Sequence, residues 1–118
     1  MTGSVNYLET GSVNPNFNLA FEEYVLLSRR DAPYLMLWQN DNTIVLGQNQ
    51  NAEAEINQRF VREHNITVAR RTTGGGAVYH DLGNLNYSFI ADAKDAGQLT
   101  MERFTLPVVD ALCDLGLD

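Results

Sequence analysis

Two adjacent arginines, three consecutive glycines and a histidine–aspartate pair lie close together in this chain, as Arg70, Arg71, residues 74–76, His80 and Asp81. Glycine has no side chain to hold a ligand away and tolerates a positive φ, so the backbone N–H groups of such a segment can converge on an anion such as a phosphate. The arginines supply the charge that the anion needs. Because successive side chains of a strand alternate, we expect one arginine in the site and the other at the surface or in a salt bridge.

The two best-known phosphate-binding motifs do not describe this segment. A P-loop requires a glycine directly before a lysine, and no glycine here precedes a lysine. The dinucleotide fingerprint would need glycine at position 79, where Tyr79 stands, and residues 77–79 favour a strand over a helix. Any phosphate must therefore be held by a loop between strands. Taken alone, the glycines are equally compatible with a sharp turn or a bulge.

His80 has two interpretations. Together with Asp81 it could orient or polarise a reacting group near neutral pH, or it could make a structural hydrogen bond that fixes the loop. Asn84 could likewise hold the loop rather than touch a ligand. The other histidine and the single cysteine, His64 and Cys113, do not have zinc-ligand spacing with His80, so no metal site built by the protein is expected.

Composition narrows the class of protein. The 118 residues carry eight basic and fifteen acidic side chains, a net charge of −7, which argues against a general nucleic-acid binder. Lys94 is the only lysine. No apolar run approaches the length of a membrane span, so no membrane partner is expected. A lone cysteine and the lack of a signal-like start favour the reducing cytoplasm.

The elements that must position this segment begin with a strand around Val5 and Tyr7. Asn14 and Pro15 predict the start of a helix. On that helix we expect one face to be formed by Phe17, Phe21, Tyr24 and Ser28, with Glu22 and Glu23 facing away. Two short apolar runs, 34–38 and 43–47, enclose a polar turn and predict a hairpin.

The second half of the chain continues with alternating elements. Residues 51–64 have helical spacing, and Asn65 can end that helix. Short strands are predicted at 67–69 and 86–90, on either side of the glycine-rich segment. A last helix is predicted from Thr100, with Pro107 kinking it or resetting its start and Gly116 ending it. Only two residues follow, so we expect the natural protein to continue past Asp118.

The glycine-rich string from Arg70 to Asn84 resembles the lipoate-binding signature of lipoate-protein ligases, in the biotin/lipoate ligase superfamily. The segments 18–23, 37–40 and 45–51 match the same family in order. The resemblance implies an α/β fold of the α+β type, with a mixed, mainly antiparallel sheet packed against helices. Residues 1–118 would then be the N-terminal part of a ligase catalytic domain, incomplete at its C-terminus.

The resemblance also implies a two-step reaction. Lipoate and ATP, which brings Mg²⁺ with it, would give lipoyl-adenylate and pyrophosphate. A lysine of an apo lipoyl domain would then take the lipoyl group as an amide. The implied protein partners are subunits of 2-oxoacid dehydrogenases and the H protein of glycine cleavage.

Site residues follow from the match to the family motif. The residues implied to bind ATP or the adenylate are Arg71, Gly76, Ala77, Val78 and Tyr79. Those implied to bind lipoate are Leu19, Trp38, Arg71, Gly75, Gly76, His80 and Asn84. For Trp38 a plain core role fits equally well.

The family also uses a lysine that bridges the lipoyl carbonyl and the phosphate. Lys94 does not match its context, so that lysine is expected beyond Asp118, and this chain alone is expected to be inactive as a ligase. Two alternatives stay open. One is an octanoyl or lipoyl transferase of the same superfamily, which uses a cysteine thioester; Cys113 is a poor nucleophile because it lies in a predicted helix beside Asp114. The other is a noncatalytic module that binds a lipoyl ligand.

Overall fold

The computed structural model describes residues 4–92 and 101–118, which form two three-stranded sheets and four helices. In chain order the elements are β1 (Asn6–Glu9), α1 (Pro15–Ser28), β2 (Tyr34–Trp38), β3 (Thr43–Leu46), α2 (Ala52–Glu55), α3 (Gln58–Glu63), β4 (Thr67–Arg70), β5 (Val78–His80), β6 (Asn86–Ile90) and α4 (Met101–Asp114). Lys94 and Thr100 lie outside the described residues. None of the described helices is long and apolar enough to cross a membrane.

Each sheet contains one parallel and one antiparallel pair. In the first sheet β2 runs parallel to β1 and antiparallel to β6. In the second, β3 runs parallel to β4 and antiparallel to β5. Helix α1 contacts both sheets, through β4 and β6. The predicted class, mixed sheet packed against helices, is confirmed, but parallel and antiparallel pairs are equal in number among the described strands, so the sheets are not mainly antiparallel.

The predicted hairpin of β2 and β3 is wrong, because the two strands belong to different sheets. The connection between them does not simply reverse the chain at the surface. Asn40, in its middle, is fully buried and hydrogen-bonded to Asn18 of α1 and His80 of β5. The polar residues that indicated an exposed turn therefore carry the chain from one sheet to the other.

The face predicted on α1 is not the buried one, although its Phe21 packs against the core. Phe17 and Tyr24 are 52% and 58% exposed, whereas Asn18 and Val25 are buried. Val25 packs with Tyr34 and Ile90 in the core of the first sheet. Apolar side chains are spread around α1, so their periodicity does not single out a face, and a buried asparagine sets the orientation instead.

Local capping signals were more reliable than facial patterns. The Asn14 carboxamide accepts hydrogen bonds from the amides of Asn16 and Phe17 at 2.9 and 3.2 Å, which confirms the predicted start of α1. Asn65 has a left-handed φ of 52° directly after α3, and Gly116 has a φ of 87° after α4, so both predicted helix ends are confirmed.

The single helix predicted over 51–64 is two short ones. Ile56 is extended, with φ −127° and ψ 149°, and it separates α2 from α3. The side chain of Asn57 accepts from the Phe60 amide at 3.0 Å and so starts α3 afresh. Val61 is the one buried residue of α3.

Candidate functional site

The glycine-rich loop joins β4 to β5, the two strands that flank β3. It folds back onto the turn that follows β3, where the Gln48 amide donates to the Thr73 carbonyl at 2.8 Å. Gly47 in that turn lies so close to the loop that a Cβ added to it would be 2.1 Å from the Gly75 carbonyl oxygen. Gly75 itself has a φ of 107°, a region that L side chains rarely adopt. Backbone contacts that only glycine permits therefore fix the loop.

Arg71 is held by the loop it precedes. Its Nη2 donates to the carbonyls of Gly74 and Gly76 at 2.9 and 2.8 Å, and its Nη1 donates to the Val45 carbonyl at 3.3 Å. Guanidinium has five N–H donors, and these contacts account for three of them. The Nε–H and one Nη1–H have no partner among the described residues, and both can serve an anionic ligand.

Arg70 takes a different direction. Its Nη1 donates to the carbonyls of Gly47, Gln48 and Gln50, at 2.9, 3.3 and 2.7 Å. The two neighbouring guanidiniums thus separate, as the alternation of strand side chains requires. Arg70 braces the turn that supports the glycine loop, and its recorded partners are backbone carbonyls rather than a carboxylate.

A cleft of about 300 Å³, which we call the Arg71 cleft, opens beside that guanidinium. It lies between side chains of α1, both sheets and the glycine-rich loop. Its lining includes four of the predicted residues besides Arg71 itself, namely Leu19, Trp38, Val78 and His80. The remaining lining residues are Glu22, Val45, Thr73, Asn86, Tyr87 and Ser88. The lining therefore combines apolar side chains with one guanidinium and one carboxylate, those of Arg71 and Glu22.

A chain of hydrogen bonds fixes the Trp38 ring. Its indole Nε1 donates to the Ser88 hydroxyl at 3.0 Å, and that hydroxyl in turn donates to Glu22. Because the one polar atom of the indole is already occupied, its apolar body is what the ring presents to the cleft. The expectation that Glu22 faces away is wrong: its carboxylate reaches across from α1 to β6.

His80 is 7% exposed, and its Nδ1 lies 3.0 Å from the side-chain Nδ2 of Asn40. Asp81 is exposed and accepts from the Gly83 amide at 2.8 Å, so the side chain recorded beside the imidazole is Asn40 rather than the neighbouring aspartate. Burial, followed by the positive charge of Arg71, lowers the pKa of His80. Both effects favour the neutral form of the ring.

Five predicted residues lie outside the lining of the Arg71 cleft, and four of them belong to the loop and β5. Gly75 and Gly76 form the loop at its edge, and Ala77 is exposed beside them. Tyr79 points to the other face of β5, where its hydroxyl donates to Asn42 at 2.9 Å. Alternation along β5 explains this separation, since Val78 and Tyr79 must face opposite ways.

Asn84 also lies outside the lining but reaches a residue within it. Its amide donates to the Asn86 carboxamide oxygen at 3.1 Å. The Asn86 Nδ2 is buried without an acceptor among the described residues, although the residue lines the cleft. A buried unpaired donor is unfavourable unless something accepts from it, so Asn86 offers a second polar anchor for a ligand.

Sequence reasoning did not assign roles to Gly47, Asn18, Asn40, Ser88 or Asn86. Three of them, Asn18, Asn40 and Gly47, lie in segments that match the family, and that match is the signal that could have found them. Their importance comes from partners far away in the chain. The contact of Gly47 with Gly75, for example, has no local sequence pattern.

Fold and cleft together define an α/β domain in which a glycine-rich loop lies beside a cleft lined by apolar side chains and by Arg71. The model of the family "lipoyl protein ligase A/B catalytic domain" matches residues 14–118, and the chain belongs to this family. Lipoate–protein ligase 1 of Staphylococcus aureus is 46% identical over 106 residues, which are 89% of this chain and 32% of that protein.

Solved structures agree with this assignment. A bi-partite lipoate protein ligase from Thermoplasma acidophilum, described with its E2 lipoyl domain, is 36% identical and has a TM-score of 0.82 over 100% of this chain and 47% of its own. A lipoate-protein ligase A bound with ATP is 41% identical, with a TM-score of 0.67, over 75% of this chain and 36% of its own. This chain thus spans less than half the length of each of these relatives.

Proposed function

We propose that the protein is an ATP-dependent lipoate ligase that forms lipoyl-adenylate and transfers the lipoyl group to a lysine of an apo lipoyl domain. Residues 1–118 supply the N-terminal part of its catalytic domain. The observation that carries the proposal is the arrangement around Arg71, where a guanidinium with unused donors lines the same cleft as the apolar side chains of Leu19, Trp38, Val45 and Val78. Such a cleft suits a ligand with an apolar chain and an anionic end.

The apolar wall fits the acyl part of lipoate. Leu19, Trp38, Val45 and Val78 line it, and the fixed indole of Trp38 gives a flat surface. A volume of about 300 Å³ lies at the lower end of the range for small-molecule pockets, so the cleft would bury much of one flexible chain. Lipoate and octanoate share that apolar chain, and these residues alone do not separate the two.

The polar end fits the carboxylate and the phosphate that must meet. Activation of lipoate requires its carboxylate to approach the α-phosphate in line, which is a task of positioning and charge stabilisation. Arg71 would bridge the two anions through its Nε and Nη1 protons. The buried Asn86 amide would donate to the carboxylate or carbonyl oxygen.

The glycine loop would bind the nucleotide through its backbone. A Cβ at Gly74 or Gly76 would meet no atom within 4 Å, and neither residue has a left-handed φ. The fold therefore has no internal need for glycine at these two positions, and close approach by a ligand supplies the missing reason. Gly75, in contrast, is required by its own backbone conformation.

Residues 77–79 would contribute to the adenylate site through main-chain groups. Strand β5 pairs only with β3 among the described strands, so its other edge is open. Ala77, Val78 and Tyr79 are exposed along it. The Tyr79 side chain is engaged with Asn42 on the far face, so we propose a backbone role for it. Mg²⁺ would enter as part of the ATP substrate.

Acceptor proteins and location complete the proposal. The acceptors would be apo lipoyl domains, such as those of 2-oxoacid dehydrogenase subunits and the glycine cleavage H protein, because these carry the lysine that the second step modifies. We place the protein in the cytoplasm on the ground that Cys113, its single cysteine, is free and exposed, which suits a reducing compartment.

The decisive assay separates the ligase from its two alternatives. The protein is incubated with apo lipoyl domain, lipoate, ATP and Mg²⁺, and both pyrophosphate and the lipoylated lysine are measured. A ligase produces both, and Cys113→Ser leaves the rate unchanged. Transfer of octanoate from a thioester without ATP, abolished by Cys113→Ser, would establish a transferase instead. Lipoate binding without pyrophosphate release by the intact protein would indicate a noncatalytic module.

A further inference from the structure

Three polar side chains form a buried line behind the Arg71 cleft. Asn18 and Asn40 are 0% exposed and His80 is 7% exposed. The Asn18 Nδ2 lies 3.0 Å from the Asn40 Oδ1, and the Asn40 Nδ2 lies 3.0 Å from the His80 Nδ1. A buried side-chain amide is unfavourable unless its NH₂ group and its oxygen both have hydrogen-bond partners. The direction of each hydrogen bond in this line therefore determines where the imidazole proton of His80 resides.

The orientation of the first amide is fixed by groups that can act in only one way. The Asn18 Nδ2 lies 2.9 and 2.8 Å from the backbone carbonyls of Ser12 and Gln39. A backbone carbonyl only accepts, so the atom facing both must be the donating nitrogen. The Asn18 Oδ1 accepts from the Thr10 hydroxyl at 2.6 Å.

This orientation propagates to the imidazole. The two protons of the Asn18 Nδ2 are shared among three neighbouring oxygens, and an NH₂ group of Asn40 in that place would be repelled, so the Asn40 atom that faces Asn18 is the accepting oxygen. The other end of the Asn40 amide is then its NH₂ group, which only donates. The His80 Nδ1 opposite that group must carry a lone pair rather than a proton. The single proton of the neutral ring therefore resides on Nε2, which has no partner among the described residues.

We propose that Asn40, oriented by Asn18, is a positioning residue that holds His80 as the Nε2–H tautomer, so that the ring presents a neutral N–H donor to an oxygen of the ligand in the cleft. The tautomer follows from the apo geometry alone. The use of that donor on a lipoyl or adenylate oxygen rests on the proposed function.

The surroundings of His80 oppose the doubly protonated ring. A proton on Nδ1 would point at the hydrogens of the Asn40 amide. Arg71 adds a positive charge on the cleft side, and burial acts in the same direction to lower the pKa. Glu22 and Tyr87 are the other titratable groups that line the cleft. The carboxylate of Glu22 is engaged by Ser88.

The tautomer can be read directly by NMR. The chain has two histidines, so a long-range ¹H–¹⁵N spectrum of ¹⁵N-histidine-labelled protein contains two ring patterns. At pH 8 we expect His80 to show the proton on Nε2. His64 provides an internal contrast, because its Nδ1 lies 3.0 Å from the Phe60 carbonyl and must donate to it. A His80 ring protonated on Nδ1 would overturn the proposal.

Asn40→Asp tests the positioning role with almost no change of shape. The carboxylate still accepts from Asn18, but it now also accepts from His80, so the ring should gain a proton on Nδ1. An opposite charge at this distance raises a pKa by about 1–3 units, and the titration midpoint of His80 should rise accordingly. Gln58→Glu makes the same charge change at an exposed position on α3 and should leave the midpoint in place. An unmoved midpoint in Asn40→Asp would refute the role of Asn40.

Ligand binding is a separate readout. If the Nε2 donor serves the ligand, the wild type keeps that donor whether or not the ring is protonated, because the second proton adds to Nδ1. In Asn40→Asp the neutral ring carries its proton on Nδ1, so lipoate affinity should be below wild type at pH values above the NMR midpoint and should recover as the pH falls through it. Affinity in Asn40→Asp that does not follow the midpoint would remove the ligand-donor part. Failure of the wild type to bind lipoate at all would instead defeat the proposed function, while the tautomer result would stand. The wild-type spectrum decides the tautomer even where Asn40→Asp does not fold.

Discussion

Alanine at position 47 would bring its Cβ to 2.1 Å from the carbonyl oxygen of Gly75 and 3.0 Å from its carbonyl carbon. Carbon and carbonyl oxygen in favourable contact lie roughly 3.3 Å apart or more, so the glycine loop would have to retreat by about 1 Å. Position 47 is buried under the loop. The clash is between backbone atoms, which cannot turn aside as a flexible side chain can.

The retreat would break the bonds that hold the loop. Arg71 reaches the carbonyls of Gly74 and Gly76 at 2.9 and 2.8 Å, and an added 1 Å would take both beyond hydrogen-bonding range. Overpacking of this kind, with loss of those bonds, destabilises by about 1–3 kcal/mol. The displaced loop would also misplace the groups proposed to hold the phosphate. A 1 Å error of that sort lowers activity by up to about 100-fold.

The assay compares Gly47→Ala with Gly74→Ala, the same substitution in the adjoining loop. A Cβ at Gly74 meets no atom within 4 Å, so its urea unfolding free energy should stay within about 0.5 kcal/mol of wild type. Gly47→Ala should lose stability in urea and lose ATP affinity by calorimetry. Unchanged stability and affinity in Gly47→Ala would refute the close-approach argument, as would equal destabilisation by the two variants.

Four further substitutions test the site. Arg71→Lys should weaken ATP binding by about tenfold or more in calorimetry, because an ammonium group cannot contact the loop carbonyls and a ligand at once. Arg70→Lys should lower the free energy of unfolding in urea more than it lowers ATP affinity. A larger loss of affinity in Arg70→Lys than in Arg71→Lys would contradict these roles. The pKa of His80 is lowered in the folded protein, so the unfolded chain binds the proton first as the pH falls below about 6.5. The free energy of unfolding in urea should therefore fall between pH 7 and 5, and it should fall less in His80→Gln. Parallel pH curves for the two proteins would contradict this. Ser88→Ala should leave the Trp38 indole N–H without its acceptor, so the dissociation constant for lipoate should rise while that for ATP stays the same. A loss of affinity for ATP alone would contradict the proposal that Trp38 contacts the acyl chain.

Signals that depend on neighbours in the chain predicted structure well. The cap at Asn14 and the left-handed residues Asn65 and Gly116 act within a few positions, so the sequence contains the whole interaction. The separation of Arg70 and Arg71 follows from strand geometry in the same way. At these positions the cause is local and the prediction agrees with the structure, although the equally local cap at Asn57, which divides residues 51–64 into two helices, was not predicted.

Predictions failed where the cause is a distant partner. The turn residue Asn40 looked like surface because asparagine favours turns, but its amide is satisfied by Asn18 and His80, 22 and 40 positions away. The same network buries Asn18 and so turns α1 away from the face that Phe17 and Tyr24 suggested. One buried polar cluster therefore accounts for both the wrong hairpin and the wrong helix face.

That cluster also explains how one cleft can be built from two sheets. Trp38 and Ser88 belong to the sheet of β1, β2 and β6, whereas Val78 and His80 belong to the sheet of β3, β4 and β5. Asn40 lies on the connection between the sheets and bonds to β5 on one side and α1 on the other. Apolar packing alone allows the two sheets to slide slightly past each other, whereas an amide that is hydrogen-bonded at both ends resists this movement. The buried asparagines thus set the distance between the apolar side chains and the Arg71 guanidinium of the cleft. In Asn40→Leu that distance should vary more, even where the protein still folds. We expect this to be measured as a loss of lipoate-binding free energy that exceeds the loss of unfolding free energy.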